Sequence, residues 1–309
     1  MTTIRTLQPG DARAVVDRIA NRLADDARHS PLVNPCVDTE SLYDTILHAS
    51  NATWVAVEGS RVVGHLYGAV LNDHAHERAA WTGPDGVSFD DDEHLEKLVD
   101  VACASWRRSG ATQHYSWTLA NPARVAPWDA LGYQRLGVRG VMTLRARQVR
   151  TLPDGMVLRA ATSHDVERAL QLDHVIDVAQ GDAVAMSGKD RRTTRRELLE
   201  LLEDPDVRHY VVEANDVVIA QAVTFPLPPR RGSFDATLHL SEVVVDPSEQ
   251  GLGVASAMID TVLERARLEG FGHVEAQWRV TNQQASTFWP RYGLTPTYVR
   301  LGRAVGSGE

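Results

Sequence analysis

The sequence predicts an α+β protein in which one pattern of strands and helices is written twice. Three observations carry this. Short segments recur at nearly constant offsets along the 309 residues. Both copies read β-α-α-β-β-β-α-β-α-β from apolar periodicity and turn residues. The length suits two domains at roughly 100–200 residues each. The charged stretch Arg145–Arg150 and the turn signal Pro153-Asp154-Gly155 divide the chain into 1–150 and 151–309.

Each half opens on a short strand and a helix start, Ile4-Arg5-Thr6-Leu7-Gln8-Pro9-Gly10-Asp11 and, 154 residues later, Leu158-Arg159-Ala160-Ala161-Thr162-Ser163-His164-Asp165. Asp11 and Ser163 or Asp165 suit helix caps. Two strands around a turn follow: Trp54 to Gly64 in the first copy, Tyr210 to Ala220 in the second. Late in each half come Asn121…Leu131-Gly132-Tyr133 and Asn282…Tyr292-Gly293-Leu294, both offset by 161. In the second half the expected helices are 163–178, 191–203, 251–269 and 282–292. The expected strands are 208–213, 217–225, 237–245, 273–278 and 299–303. The helix at 251–269 is the best marked: Val254, Met258, Val262, Leu263 and Ala266 share a face and Gly270 stops it.

The composition is that of a globular protein, 43% hydrophobic and 24% charged. A net charge of −9 argues against a nucleic-acid partner. Cys36 and Cys103 make neither a disulfide framework nor a metal spacing, so no metal is expected. No apolar run approaches the roughly 20 residues that cross a bilayer, and the opening residues lack a signal-peptide core. A cytoplasmic location without membrane partners is the expectation. The halves differ in charge: −2 through Arg150, −7 beyond it.

The segment Leu240-Ser-Glu242-Val243-Val244-Val245-Asp246-Pro-Ser-Glu-Gln250-Gly251-Leu252-Gly253-Val254-Ala255-Ser256 carries the chemistry. A buried strand enters a glycine turn that opens directly into a helix. The first helical N–H groups have no intrahelical partners and the macrodipole adds positive charge, so an anion is favoured there. Gly251 and Gly253 remove side chains where a ligand would meet backbone. Two or three charge-assisted hydrogen bonds of about 1.5–3 kcal/mol each would supply much of a micromolar affinity for a diphosphate. Neither a P-loop nor a dinucleotide fingerprint is present.

Gln250-Gly251-Leu252-Gly253-Val254-Ala255 resembles the Gln/Arg-x-x-Gly-x-Gly/Ala loop of the GNAT superfamily of N-acetyltransferases. Downstream, Asn282-Gln-Gln-Ala285-Ser-Thr-Phe288-Trp289-Pro-Arg-Tyr292-Gly293-Leu294 is similar to that family's Asn-x-x-Ala-x-x-Phe-Tyr-x-x-x-Gly-Phe. The resemblance covers residues 156–305. It implies two tandem domains, each a mixed twisted sheet flanked by helices, and an acetyl-CoA site in the second. It places the CoA diphosphate on Gln250–Ala255 and Ser256, and the pantetheine arm between the strands at 237–245 and 273–278. Asn282 would hydrogen-bond that arm, with Ala285, Phe288 and Trp289 beside it. A backbone N–H around Val243, Val244 and Val245 would face the oxyanion.

Amine acylation also needs a base and, for the leaving thiolate, an acid. Glu242 is the candidate base, with Ser241 and His239 as fallbacks. The family often has a tyrosine where this chain has Trp289, so Tyr292, three residues on, is the candidate acid. Pro290 is expected to interrupt this helix.

At the equivalent place in the first half the loop motif is missing. Trp81-Thr-Gly-Pro-Asp85-Gly-Val-Ser88-Phe-Asp90-Asp91-Asp92-Glu93-His94 crowds acids at the start of a helix expected over 93–109. Ser88-x-x-Asp91 resembles a capping box. The first half is therefore expected to be a degenerate domain without CoA. The segment from Asp177 to Arg196 is expected to shape the acceptor pocket, with Asp177 and Asp182 suited to a cationic amine. Arg191, Arg192, Arg195 and Arg196 could meet the CoA 3′-phosphate or form a solvated face. His48, Trp117 and Trp128 read as packing.

The expected function is acetylation of a small-molecule amine by direct attack on acetyl-CoA in the second domain, in a monomer (an internal pseudo-dimer) or homodimer. The alternatives are a non-catalytic acyl-CoA-binding or scaffold protein and a protein N-terminal or lysine acetyltransferase.

Overall fold

The computed structural model describes residues 1–49, 52–72, 78–180 and 193–306, with the side chains of 177, 179 and 180 left out. The protein is α+β with mixed sheets, and it divides into two compact units. The first is Met1–Val138 with Arg230–Ser233 and Thr297–Glu309; the second is Arg139–Pro229 with Phe234–Pro296. These units follow a different division from 1–150 and 151–309. The strand that closes the first half is divided between the units at Val138, and the strand that closes the second half lies mostly in the first unit.

In the first unit, β1 (Thr2–Thr6), β2 (Thr53–Glu58), β3 (Arg61–Tyr67) and β6 (Val87–Phe89) form an antiparallel sheet in that order. Helices α1 (Ala12–His29) and α2 (Thr39–His48) bury Val15, Val16, Ile19 and Leu23 against Leu42, Ile46 and Val55. The Asp38 side chain caps α2 by accepting from the amides of Glu40 and Ser41. Helix α3 (Asp92–Arg108) places Leu95, Leu98, Val99, Ala102 and Trp106 on one face over Trp54, Val63 and Leu66. The unit's other strands are β4 (Ala69–Asn72), β5 (Arg78–Thr82), β7 (Gln113–Leu119), β14 (Thr295–Ala304) and the start of β8 (Gln134–Thr143), with α4 (Pro122–Ala130) between β7 and β8. Trp117 and Trp128 are buried, as expected of packing residues.

The second unit keeps the expected element order. It runs β9 (Met156–Ala160), α5 (Val166–Gln180), α6 (Arg195–Glu203), β10 (Arg208–Ala214), β11 (Val217–Pro226), β12 (Thr237–Val245), α7 (Val254–Leu268), β13 (His273–Arg279) and α8 (Gln283–Tyr292). The sheet order is β8-β13-β12-β11-β10-β9. Only β12 and β13 among the paired strands with a stated register here run parallel. Helix α5 covers one face, where Leu172 packs on Val211, Val218 and Val244. Helix α7 covers the other, with Val262 and Ala266 beside Thr224 and Leu238.

Three boundaries depart from expectation for physical reasons. Helix α7 starts at Val254, not at Gly251, because Gly251 and Gly253 both take φ of +84°, outside the helical region. Helix α8 continues through Pro290 to Tyr292 and ends on Gly293, so the proline sits in the last turn without breaking the helix. In the first unit the counterpart of β12 is broken in two. β5 pairs in parallel with β7, β6 pairs with β3, and the turn Gly83-Pro84-Asp85-Gly86 separates them.

Candidate active site

The site is built at a fork in the sheet. β12 and β13 pair from Thr237↔His273 to Leu240↔Ala276 and then part, although β12 runs on to Val245. A bulge lies at the same point: Val223 faces Glu242 while Thr224 faces Leu240, which leaves Ser241 as the extra residue. In a regular strand residues 238, 240, 242 and 244 would share a face. The bulge reverses the alternation. Leu238 and Leu240 therefore point toward α7, and Glu242 joins Val244 on the α5 face.

Beyond the fork, β12 enters a pinned turn. Asp246 accepts from the Ser248 hydroxyl at 2.6 Å and from the Ser248 amide at 2.9 Å, and it is paired with Arg168 of α5. The Ser248 bonds, then Arg168, draw its carboxyl down to about 2. Arg168 also donates to the carbonyl of Val218 at 2.8 Å, so this turn is tied to both helix and sheet. Gln250 then reaches back to the Val245 carbonyl at 3.3 Å and accepts from Gln284 of α8 at 3.4 Å.

Helix α7 begins on Gly253 with no side chain capping it and no acid in its first turn. A Cβ at Gly251 or Gly253 would meet nothing within 4 Å, so both face open space. The first amides of a helix have no intrahelical acceptor. Those of α7 thus combine orphan donors, a dipole and free approach at one place.

A cavity of about 420 Å³ joins the fork to this helix start. Val243, Val244, Val245, Gln250, Gly251, Gly253, Val254, Ala255 and Ser256 line it, as do Asn282, Ala285, Phe288 and Trp289. Of the residues expected to hold the coenzyme, only Leu252 is outside the lining; its side chain is 57% exposed. The Asn282 side chain accepts from the Ala285 amide at 2.9 Å, so it caps α8 while lining the cavity. Sequence reasoning missed Val175 and Ile176 of α5, Glu249 and Gln284. The apolar pair itself, late in a helix, was the available signal for Val175 and Ile176, which are half-buried.

The two candidate catalytic residues fare differently. Glu242 is half-buried, next to Val243 of the lining but not in the lining itself. Tyr292 is turned elsewhere, which corrects the expectation of a proton donor. Its hydroxyl donates to Asp260 at 2.5 Å and accepts from Arg147 at 3.0 Å. Burial, then Asp260, raises its pKa far above the tyrosine range, so it holds its proton as part of an ion cluster. Arg150 completes that cluster through Nε to Asp260 at 2.6 Å.

The segment expected to shape the acceptor pocket lies mostly outside the described residues, including Asp182, Lys189, Arg191, Arg192 and the side chain of Asp177. Arg195 pairs with Glu167 of α5 at 2.9 Å, tying α6 to α5, and Arg196 pairs with Glu200 of its own helix at 3.8 Å. No helix among the described residues is long and apolar enough to cross a membrane.

The acetyltransferase (GNAT) family model matches residues 175–294, the span that contains the fork, the pinned turn and the uncapped helix. The C-terminal half of the chain carries the GNAT family match. GNAT proteins use acyl-CoA donors and are generally N-acetyltransferases. Among solved structures, a GCN5-related N-acetyltransferase from Sphaerobacter thermophilus has a TM-score of 0.63 at 15% identity, over 100% of this chain and 97% of that one. A tandem GNAT protein from the clavulanic acid biosynthesis pathway has a TM-score of 0.55 at 16% identity, over 100% of both chains. A glucosamine N-acetyltransferase region of a fungal multi-domain GH3 β-N-acetylglucosaminidase has a TM-score of 0.56 at 14% identity, over 98% of this chain and 38% of that one. These likenesses show a tandem GNAT fold and nothing finer. No curated protein matches the chain.

The first unit contains a different helix start where a GNAT domain would have its phosphate loop. Asp91 caps α3 by accepting from the Glu93 amide at 2.9 Å, and Asp92 and Glu93 fill the first turn. The expected capping box from Ser88 is replaced by this single-residue cap. Ser88 instead pairs with His65 at 2.8 Å and accepts from Arg18 at 2.9 Å.

Proposed function

We propose that the second unit is an N-acyltransferase that acetylates a small-molecule amine with acetyl-CoA, and that the first unit binds no coenzyme. One observation carries this reading. A single cavity joins an uncapped, glycine-opened helix start to a sheet fork whose strand edge is unpaired. That combination suits a chain-like ligand with a diphosphate at one end and amides along its arm.

The amides at the start of α7 hold the diphosphate. The unpaired edge of β12 takes the amide groups of the arm as an added strand would. Asn282 and the apolar walls at Phe288 and Trp289 fix the arm and keep water from it. The coenzyme supplies the activated acyl group. Glu242, turned by the bulge onto the face that α5 covers, takes the amine proton directly or through water. Neither Cys36 nor Cys103 belongs to the second unit, so no acyl-cysteine is invoked.

A second reading, a non-catalytic acyl-CoA-binding protein, draws support from the engaged Tyr292 hydroxyl and from Trp289, which has no acidic hydroxyl. Calorimetric titration with acetyl-CoA, together with thiol release across a panel of amines, tests both. Micromolar binding with amine-dependent release supports the transferase. Binding without release from any amine favours the second reading, and no binding removes both.

A further inference from the structure

A separate cavity, of about 160 Å³, lies under the C-terminal half of α7, on the sheet face opposite α5. It shares no lining residue with the cavity at the fork. Helix α7 is 15 residues long, roughly 22 Å at about 1.5 Å per residue, and the fork cavity takes its first turn. The two cavities therefore use opposite ends of one helix.

The interior of this cavity is apolar with two hydroxyls. Leu238, Val262 and Ala266 are buried walls. Tyr210 is 8% exposed and Thr224 1% exposed, and both line the cavity. Neither hydroxyl makes a hydrogen bond among the described residues. A buried hydroxyl that has given up water is costly to leave without a partner. The Tyr210 ring is held by the Arg265 guanidinium, 5.5 Å from its centroid.

The exposed part of the lining carries charge of both signs. Asp206, Arg208 and Glu269 line the cavity from its solvent side. With Arg265 beside Tyr210, two carboxylates stand against two guanidinium groups, yet none of the four makes an ion pair among the described residues. Arg208 is positioned by its own turn, because Nη1 donates to the carbonyls of Pro205 and Val207. Its Nε and Nη2 make no hydrogen bond among the described residues. An organic anion placed here would face both carboxylates, and an organic cation both arginines. A zwitterion uses both signs and bridges them.

We propose that this cavity binds a free α-amino acid. The carboxylate sits on Arg208 and the ammonium group on Asp206 and Glu269. The side chain points inward and brings a polar atom to the hydroxyls of Tyr210 and Thr224. The size agrees: 160 Å³ is the liquid volume of about five waters at roughly 30 Å³ each, well below the roughly 300–1,000 Å³ of pockets for larger ligands. The site is remote from the sheet fork, so this amino acid is a ligand in its own right and not the amine that is acylated.

Calorimetry of the full chain against free L-amino acids is the test. Threonine, methionine and glutamine are the probes, since their side chains join an apolar stem to a polar atom. At least one is expected to bind with a Kd in the micromolar to low-millimolar range. The matching amine without the carboxylate, and the matching acid without the ammonium group, should each bind about tenfold more weakly or worse. Arg208→Gln should lower the amino-acid affinity by about tenfold or more, and Tyr210→Phe by about threefold or more. Melting curves and acetyl-CoA titrations of both variants should match wild type. Three results would overturn the proposal: no binding of any probe, equal binding of the amine and its parent amino acid, or unchanged affinity in Arg208→Gln. Amino-acid binding in a chain that takes up no acetyl-CoA would remove the coenzyme reading and leave this one standing.

Discussion

Helices α3 and α7 begin at equivalent points of the two repeats and treat their first amides in opposite ways. In α3 an aspartate accepts from the backbone and two more acids crowd the first turn. In α7 a glycine at φ +84° stands at the cap, with no side-chain acceptor and no acid. The strand before each helix differs in step. β12 is continuous and forks from β13, whereas its counterpart is broken into β5 and β6. A helix that caps itself gains stability and gives up an anion site; one left open gives up stability and keeps the site.

The sharpest way to break the contrast is to make α7 resemble α3. Gly253→Glu forces a side chain into a left-handed conformation and sets a carboxylate among the orphan amides. It should weaken acetyl-CoA binding by about 100-fold or more, the loss of two charge-assisted contacts, while the far-ultraviolet circular dichroism stays as it was. Retained affinity would mean that the amides of α7 are not the diphosphate site.

Glu242→Gln probes chemistry separately from binding. The expected result is a fall in kcat of about 10²–10⁴-fold with acetyl-CoA affinity held within about twofold. A kcat close to wild type would leave Glu242 as a packing residue of the α5 face.

Acid should separate the units. Burial lowers the imidazole of His65 to about 4 and that of His114 to about 3, and both belong to the first unit. The unfolded imidazoles take up protons near pH 6.5, where the folded ones refuse them. Stability of the first unit therefore falls as pH drops below 6.5 and keeps falling until the folded groups titrate. The depressed carboxyls of the second unit, Asp165 and Asp246 at about 2, keep their contribution above about pH 3.8 and lose it as pH falls toward 2. His209 and His273 of the second unit are lowered by burial as well and add two groups to the first effect there. Trp54, Trp81, Trp106, Trp117 and Trp128 all lie in the first unit, so tryptophan fluorescence should change at a higher pH than coenzyme binding. Coincident transitions would show that the units unfold together.

The smallest effect comes from opening α3. Asp91→Ala should cost about 1 kcal/mol of stability, the usual loss for an N-cap, and should create no coenzyme binding, because Asp92 and Glu93 remain. Denaturant titration and calorimetry read the two halves of that statement.

The second unit was legible because local signals there agree: short apolar strands, an amphipathic α7, and two motifs about 30 residues apart. The residues expected at the coenzyme come together along one cavity, save for Leu252, whose neighbours are glycines that let it swing outward. The break between β5 and β6 was not legible, since Val87–Phe89 is too short to mark a strand of its own. The bulge at Ser241 was hidden too, because it depends on the register of β11. Tyr292 was misread by helical arithmetic: three residues turn about 300°, enough to carry its hydroxyl from the cavity at Trp289 to Asp260. Arg150 and Arg168 act through partners 110 and 78 residues away, a distance at which no local pattern speaks.

The strand exchange bears on how the chain is made. Residues 297–309 belong to the first compact unit, yet they emerge from the ribosome roughly 160 residues after Val138. At about 5–20 residues per second that delay amounts to on the order of ten seconds or more. During it the nascent first unit must wait with an open edge beside β7. Translation speed through the second repeat, and the chaperones that cover such an edge, thereby become part of what determines the yield of folded protein.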